Sequence, residues 1–205
     1  MRVGILGGTF NPPHVGHLVC AQEAMVQLDL EKVLFVPAAR PPHRDIEADP
    51  GVDARVELCE AAISGDDRFE LSRAEVEREG VSYTVDTLRE FRKETPDDEL
   101  FLLLGGDQAA SLMSWHEPEQ VLELATVAAV ERVGFSRNAI SIKLGRLPGG
   151  RGILYLDMPV MQVSSSLVRR RVAEGKPIRY LVPDPVVDYI YEHGLYGAST
   201  PAPTA

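Results

Sequence analysis

Val3-Gly4-Ile5-Leu6-Gly7-Gly8-Thr9-Phe10-Asn11-Pro12-Pro13-His14-Val15-Gly16-His17, VGILGGTFNPPHVGH, holds the signals of a strand, a turn and a helix start in immediate succession. The apolar run Val3–Leu6 reads as a buried strand, and Gly7-Gly8 punctuates its end. Asn11 belongs to the helix-capping residue types. Pro12 suits a first helical turn, because proline lacks only an amide that would have no partner there. This reading predicts a helix running through His14 and His17. Spaced i, i+3, the two imidazoles then share one face near the amino end. Gly7 and Gly8 let backbone come close to whatever lies above the strand end. Amide donors, the positive end of the helix dipole and two imidazoles converge on one point, which is a site for anionic oxygens and for phosphate above all.

The same alternation continues outward. Val33–Val36, Phe69–Ser72, Leu100–Leu104, Thr126–Val130 and Ile153–Leu156 read as further strands, several of them apolar on both faces. Helical patterns lie at Val15–Leu28, Ala54–Ile63, Val85–Lys93, Pro118–Leu124 and Ser166–Ala173. A last helix with prolines near its first turn is read over Pro183–Tyr191. Strands alternating with helices predict an α/β fold: a parallel sheet with right-handed crossovers and helices on both faces, followed by a small C-terminal helical portion. Ligands in such sheets sit beyond the carboxyl ends of the strands, which is where GGTFNPPH stands. One domain is expected over 1–197, with a disordered tail at 198–205. Arg40–Val52 reads as a mobile surface loop and Leu147–Gly152 as a turn.

Composition narrows the function classes. The 205 residues are 44% hydrophobic and 25% charged, as in ordinary globular proteins. A formal charge of -10 argues against a general binder of nucleic acid or anionic membrane, while leaving room for a local basic pocket. Cys20 and Cys59 lack a CxxC spacing, so no disulfide scaffold is expected and a reducing cytoplasm is the natural compartment. The run Val3–Leu6 is too short and too soon broken for a signal peptide, and no apolar run has membrane-span length. Familiar motifs are missing. There is no GxxxxGK[ST], GILGGTF does not supply GxGxxG, and no HExxH is present.

The residues quoted so far resemble the signature of the HxGH nucleotidylyltransferase superfamily, here His14-Val15-Gly16-His17. The resemblance implies a Rossmann-like domain that transfers a nucleoside monophosphate from a triphosphate and releases pyrophosphate. It assigns His14 and His17 to the phosphates and the transition state, and Gly7, Gly8, Thr9 and Phe10 to the lining of the nucleotide site.

A second cluster stands far along the chain. Val163-Ser164-Ser165-Ser166-Leu167-Val168-Arg169 offers hydroxyls and amides at a helix start and a guanidinium fork suited to phosphate. It is similar to the superfamily's ISSTxIR motif, with Val163, Ser166 and Val168 as mild departures. The resemblance then implies that Ser164, Ser165, Ser166 and Arg169 hold the triphosphate, with Arg169 catalytic beside the histidines.

Three further stretches bear on the acceptor: Phe35–Arg44 after the second strand, Ser82–Leu88 opening a helix, and Gly105-Gly106-Asp107 ending the fourth strand, with Trp115 after it. With Tyr180–Tyr196 they resemble the bacterial nicotinate-nucleotide adenylyltransferases, a likeness running from about Arg2 to Tyr196. The implied partners are ATP and nicotinate mononucleotide, with His43, Arg44, Thr84, Trp115 and His116 receiving the acceptor and Gly105 and Asp107 the ATP. The residue chemistry agrees. Trp115, the only tryptophan, offers a stacking face to a flat ring. Amides near Thr84 and His116, with the Thr84 hydroxyl, suit a ring carboxylate. Asp107 can accept from a ribose, sit on a metal-bound water, or simply close a turn. The family often has lysine at position 44 and tyrosine at position 116.

The expected chemistry is in-line displacement at the α-phosphorus, with Mg²⁺ carried by ATP and no dedicated metal cage. Three other readings stand beside it: another adenylyl- or cytidylyltransferase of the superfamily, such as the phosphopantetheine enzyme; a non-catalytic nucleotide sensor; and a hydrolase using His14 and His17 as metal ligands. A homo-oligomer is left open.

Overall fold

A computed structural model describes residues 1–42, 46–130, 137–145, 147 and 150–199. Its strands are β1 (Arg2–Gly8), β2 (Lys32–Pro37), β3 (Phe69–Leu71), β4 (Glu99–Gly105), β5 (Thr126–Val130) and β6 (Leu154–Leu156). They form one six-stranded sheet in the order β3-β2-β1-β4-β5-β6, and every pairing is parallel. The helices are α1 (Val15–Leu28), α2 (Val52–Ile63), α3 (Ala74–Glu77), α4 (Thr84–Glu94), α5 (Gly106–Ser111), α6 (Pro118–Leu124), α7 (Arg137–Leu144), α8 (Ser165–Ala173) and α9 (Asp184–Glu192).

The strands form because their residues are apolar toward both faces. Along β4, Phe101 and Leu103 enter one core while Leu100, Leu102 and Leu104 enter the other. Side chains of a strand alternate between faces, so five consecutive apolar residues demand cover on both sides. The first core receives Ala21 and Ala24 of α1, Leu58 of α2, Val168 of α8 and Ile190 of α9. The second receives Val85 and Leu88 of α4, Ala109 of α5, Val121 of α6 and Ile140 of α7. The expected Rossmann-like sheet with helices on both faces is what the molecule has.

The strand order turns back between β1 and β4. Crossovers leaving these neighbours in opposite directions open a crevice at their carboxyl ends. The residues that follow those two ends, Thr9–His14 and Gly106–Asp107, therefore face one another's surroundings across the switch point.

Two details differ from the sequence reading. Helices α3, α5 and α7 were not anticipated; four, six and eight residues are too few to show a helical period. Asn11 does not cap α1, and Pro12 is not in its first turn. The helix starts at Val15 with His14 at the cap position. The Asn11 side chain is occupied elsewhere, because its Nδ2 donates to the Glu47 carbonyl at 2.8 Å and its Oδ1 accepts from the Tyr196 hydroxyl at 2.7 Å. Part of the loop expected at 40–52 and of the turn at 147–152, and the tail from Thr200, lie outside the described residues.

Candidate active site

Two cavities meet at the switch point. The larger, about 1100 Å³, runs from the end of β1 over the start of α1 to residues 158–163 and the start of α8. The smaller, about 320 Å³, is walled by Ala38, Pro41 and Pro42, by the start of α4 and by Trp115 and His116. Gly7, Gly8, Thr9, Asp107 and Gln108 line both. Whatever occupies one cavity can therefore reach the occupant of the other across this shared seam.

His14 and His17 stand together in the larger cavity, though not as two residues on one helical face. His14 is the cap residue, in extended conformation, and His17 is the third residue of α1. Their rings stack with centroids 3.8 Å apart. The His14 backbone N–H donates to His17 Nδ1 at 3.1 Å. A neutral imidazole that accepts at Nδ1 carries its proton on Nε2. His17 is thereby set as a donor whose ring orientation is held by the turn itself. Phe10, almost fully buried, supports it edge-on at 5.1 Å and rests in turn against Phe35.

The bare backbone of glycine matters at two points here. A Cβ on Gly16 would lie 3.0 Å from His14 Nδ1 and 3.1 Å from Val163 Cγ1. The bare backbone at this position lets the histidine ring and the first residue of the serine-rich segment pack over the same spot. At Gly7 a Cβ would meet nothing within 4 Å, since it would project into the cavities, where it would take up ligand space.

The serine-rich segment comes to the same cavity from the other side. Ser164 caps α8, accepting from the Leu167 amide at 3.2 Å. The Ser165 hydroxyl donates to the Pro12 carbonyl at 2.8 Å, tying α8 to the histidine turn. Ser166 is exposed at the cavity wall. Arg169 donates through Nη1 to the Asn11 carbonyl and through Nη2 to the Glu47 carboxylate, both at 2.8 Å. The two motifs, about 150 residues apart in the chain, thus share one cleft, and two hydrogen bonds join them directly. Gly105 and Asp107 add the end of β4 to its wall.

The smaller cavity gathers Thr84, Trp115 and His116. Thr84 is the first residue of α4, so the start of that helix borders this space. Trp115 is half-buried, with its Nε1–H donating to Ser111 Oγ at 3.3 Å. His116 packs on the Tyr83 ring at 4.3 Å and pairs with Glu117 at 3.2 Å. His43 and Arg44 lie outside the described residues; Pro41 and Pro42, just before them, line the cavity.

With the geometry in view, the comparisons are direct. Residues 5–171 match the cytidylyltransferase-like family model. A Geobacillus thermodenitrificans protein named "Probable nicotinate-nucleotide adenylyltransferase" is 41% identical over 199 residues, spanning 97% of this chain and 88% of that protein. A Thermus thermophilus protein of the same name is 44% identical over 196 residues, 96% of this chain and 100% of that one. The chain belongs to the cytidylyltransferase-like family, among its nicotinate-nucleotide adenylyltransferases. Its fold is that of the Plasmodium falciparum nicotinic acid mononucleotide adenylyltransferase complexed with NaAD, with a TM-score of 0.80 and 18% identity over 97% of this chain and 98% of that one. The same enzyme complexed with APC gives a TM-score of 0.78 over the same shares, also at 18% identity.

In this family member the walls of the site rest on groups that the sequence reading did not single out. Arg55 of α2 is fully buried. Its guanidinium donates to the Thr9 carbonyl at 3.0 Å, the Ala38 carbonyl at 2.6 Å, the Ala39 carbonyl at 3.3 Å and Asp49 Oδ1 at 3.0 Å. A cationic residue on the apolar stripe of a helix, in line with Leu58, Cys59 and Ala62, was the signal that could have found it. Glu47, on an exposed loop, carried no signal. Tyr196 is pushed upward in pKa by burial and stays a neutral donor to Asn11. Burial likewise lifts the Cys20 thiol to about 12, so this wall residue of the larger cavity is no nucleophile near neutral pH.

Gly16→Ala forces the His14 ring and Val163 apart by a few tenths of an ångström. The expected result is a fall in kcat/KM of roughly ten- to a hundred-fold with the fold retained, since small misplacements at a reacting centre are costly. Steady-state kinetics alongside a thermal melt check this; unaltered kcat/KM in the variant would remove the packing role of Gly16.

Proposed function

We infer that this nucleotidyltransferase moves the adenylyl group of ATP to nicotinate mononucleotide, giving nicotinate adenine dinucleotide and pyrophosphate, a step of NAD biosynthesis. The observation that carries the reading is the pair of cavities joined at Gly7, Gly8, Thr9, Asp107 and Gln108. The larger suits a triphosphate nucleotide and the smaller a flat, carboxylate-bearing ring. The shared seam is where the acceptor phosphate would meet the α-phosphorus.

In the mechanism we propose, the acceptor phosphate oxygen attacks the α-phosphorus in line and the bond to the β-phosphate oxygen breaks. The attacking oxygen is already anionic near neutral pH, so the residues need supply no strong base. Their work is positioning and charge stabilisation. His17 would donate from Nε2 to an equatorial oxygen, with His14 stacked behind it. Arg169 would exchange the Glu47 carboxylate for phosphate oxygens. Its present partner is 82% exposed in its side chain and easily rehydrated, so the exchange is inexpensive. The start of α8, with Ser164, Ser165 and Ser166, would add amide donors. Thr84, Trp115 and His116 would hold the nicotinate ring.

A divalent ion, Mg²⁺ in our proposal, supplies charge neutralisation on the triphosphate when bound. Among the described residues no group of three or more His, Cys, Asp or Glu side chains could hold a metal ion by itself. Asp107, the carboxylate lining both cavities, is a hard oxygen donor that suits an ion brought in by ATP. We propose a cytoplasmic enzyme: both thiols are buried and free, as in a reducing compartment. Among the described residues no helix is long and apolar enough to cross a membrane.

The test is pyrophosphate release with ATP, Mg²⁺ and one of three acceptors. Nicotinate mononucleotide should give the highest kcat/KM, ahead of nicotinamide mononucleotide and phosphopantetheine. Release with none would favour a sensor. His17→Ala should cost about a hundred- to a thousand-fold in kcat, the usual loss for one transition-state donor, with little change in either KM. Trp115→Ala should raise the KM for nicotinate mononucleotide and leave that for ATP near its starting value; an unmoved acceptor KM would end the stacking assignment.

A further inference from the structure

The turn between β1 and α1 is held by a residue from the far end of the chain. Asn11 is 2% exposed and lines the larger cavity. Its Nδ2 donates to the Glu47 carbonyl at 2.8 Å, and its Oδ1 lies 2.7 Å from the Tyr196 hydroxyl. The direction of the second bond follows from the first. A backbone carbonyl only accepts, so the amide nitrogen must face Glu47 and the amide oxygen must face Tyr196. The tyrosine hydroxyl is therefore the donor. Tyr196 belongs to the short turn Leu195–Gly197 after α9, and that turn packs against α8 and α9. The tyrosine itself packs on the first core. Backbone at both ends of this bond is uncommon. Phe10, just before Asn11, has φ 47°, and Tyr196 has φ 57°. Bulky residues keep the left-handed region only where surrounding contacts hold them there.

The main chain of Asn11 faces Arg169. Its carbonyl accepts from Nη1 at 2.8 Å, while Nη2 of the same fork donates to the Glu47 carboxylate at 2.8 Å. Asn11, Glu47 and Arg169 thus form a closed ring of three hydrogen bonds. Four residues earlier on α8, the Ser165 hydroxyl donates to the Pro12 carbonyl at 2.8 Å. Residues four apart share a helix face, so one face of α8 holds two successive carbonyls of the turn. In the mechanism proposed above, Nη2 leaves Glu47 for phosphate oxygens. Nη1 then keeps the Asn11 carbonyl, and the aim of the fork depends on where that carbonyl sits. The Tyr196 hydroxyl is the support of Asn11 that this exchange leaves in place.

We propose that Tyr196 is a positioning residue of the triphosphate site: through its hydrogen bond to the Asn11 side chain it sets the Asn11 carbonyl that orients Arg169. The inference rests on the reading of the larger cavity as the ATP site.

The test is a double-mutant cycle, read by calorimetric titration of MgATP into wild type, Tyr196→Phe, Arg169→Ala and the double variant. Tyr196→Phe removes one oxygen and leaves Asn11 Oδ1 buried without its donor. MgATP affinity should fall roughly ten-fold, the scale of one buried acceptor left unmet, while the KM for nicotinate mononucleotide stays within about two-fold. In the Arg169→Ala background the same substitution should change affinity by less than about two-fold, because the group it orients is gone. A merely structural tyrosine would weaken MgATP equally in both backgrounds. Such additivity, a matching rise in the acceptor KM, or unchanged MgATP affinity in folded Tyr196→Phe would overturn the proposal. If Tyr196→Phe does not fold, Asn11→Ala takes its place in the cycle. It keeps the carbonyl that Arg169 holds and removes the side chain that places it. Wild-type protein without affinity for MgATP would sink the reading of the larger cavity instead, an outcome visible before any variant is made.

Discussion

A guanidinium removed from water is tolerated only when its donors are met by acceptors, and removing any one partner leaves a buried charge exposed to the low-dielectric interior. Arg55 satisfies that demand with the carbonyls of Thr9, Ala38 and Ala39 and with Asp49. These acceptors belong to the loop after β1, the loop after β2 and the approach to α2. The ends of two neighbouring strands are therefore bound to one charge, and both cavities are built on those ends. A rearrangement of either loop would strand part of the guanidinium. The seam at which the substrates would meet inherits its rigidity from this constraint.

Around that fixed point the parallel topology does the gathering. Every strand presents its carboxyl end to the same edge, so segments far apart in the chain arrive side by side. The histidine turn and the start of α8 meet through the Ser165–Pro12 and Arg169–Asn11 hydrogen bonds, and Gly16 lets His14 and Val163 share space. A chain with a net charge of -10 still places a guanidinium and two imidazoles in one cleft here, and potential near a ligand depends on the few groups beside it. Glu47 on Arg169 illustrates the balance. A carboxylate on an exposed loop beside the cleft satisfies one arm of the arginine fork.

Much of this was legible beforehand, and the reasons differ by element. The strands could be read because Leu100–Leu104 and Val127–Val130 are apolar without alternation, which only cover on both faces accommodates. Helices α1 and α6 matched their expected bounds because their periods are long or their ends are marked by proline. The short α3 and α5 left no period to read, although α5 carries Asp107 to the seam and α3 carries Glu75 to the wall of the smaller cavity. His14 and His17 were correctly paired but wrongly posed. Sequence spacing suggested one helical face, whereas the Asn11 side chain is held by Glu47 and Tyr196 and so cannot cap the helix.

The amino-acid order by itself determined the alternation of strand and helix, the end of the sheet where the cavities open, and the residue types able to meet phosphate. Those properties are local: a hydrophobic period, a glycine turn and a pair of imidazoles need only their near neighbours to be recognised. The tertiary structure alone decided that His14 caps α1, that Arg169 faces Asn11 and Glu47, and that Arg55 joins the loops after β1 and β2. Such pairings join backbone atoms and side chains from separate crossovers, and no spacing along the chain encodes which carbonyl a buried arginine or hydroxyl will find.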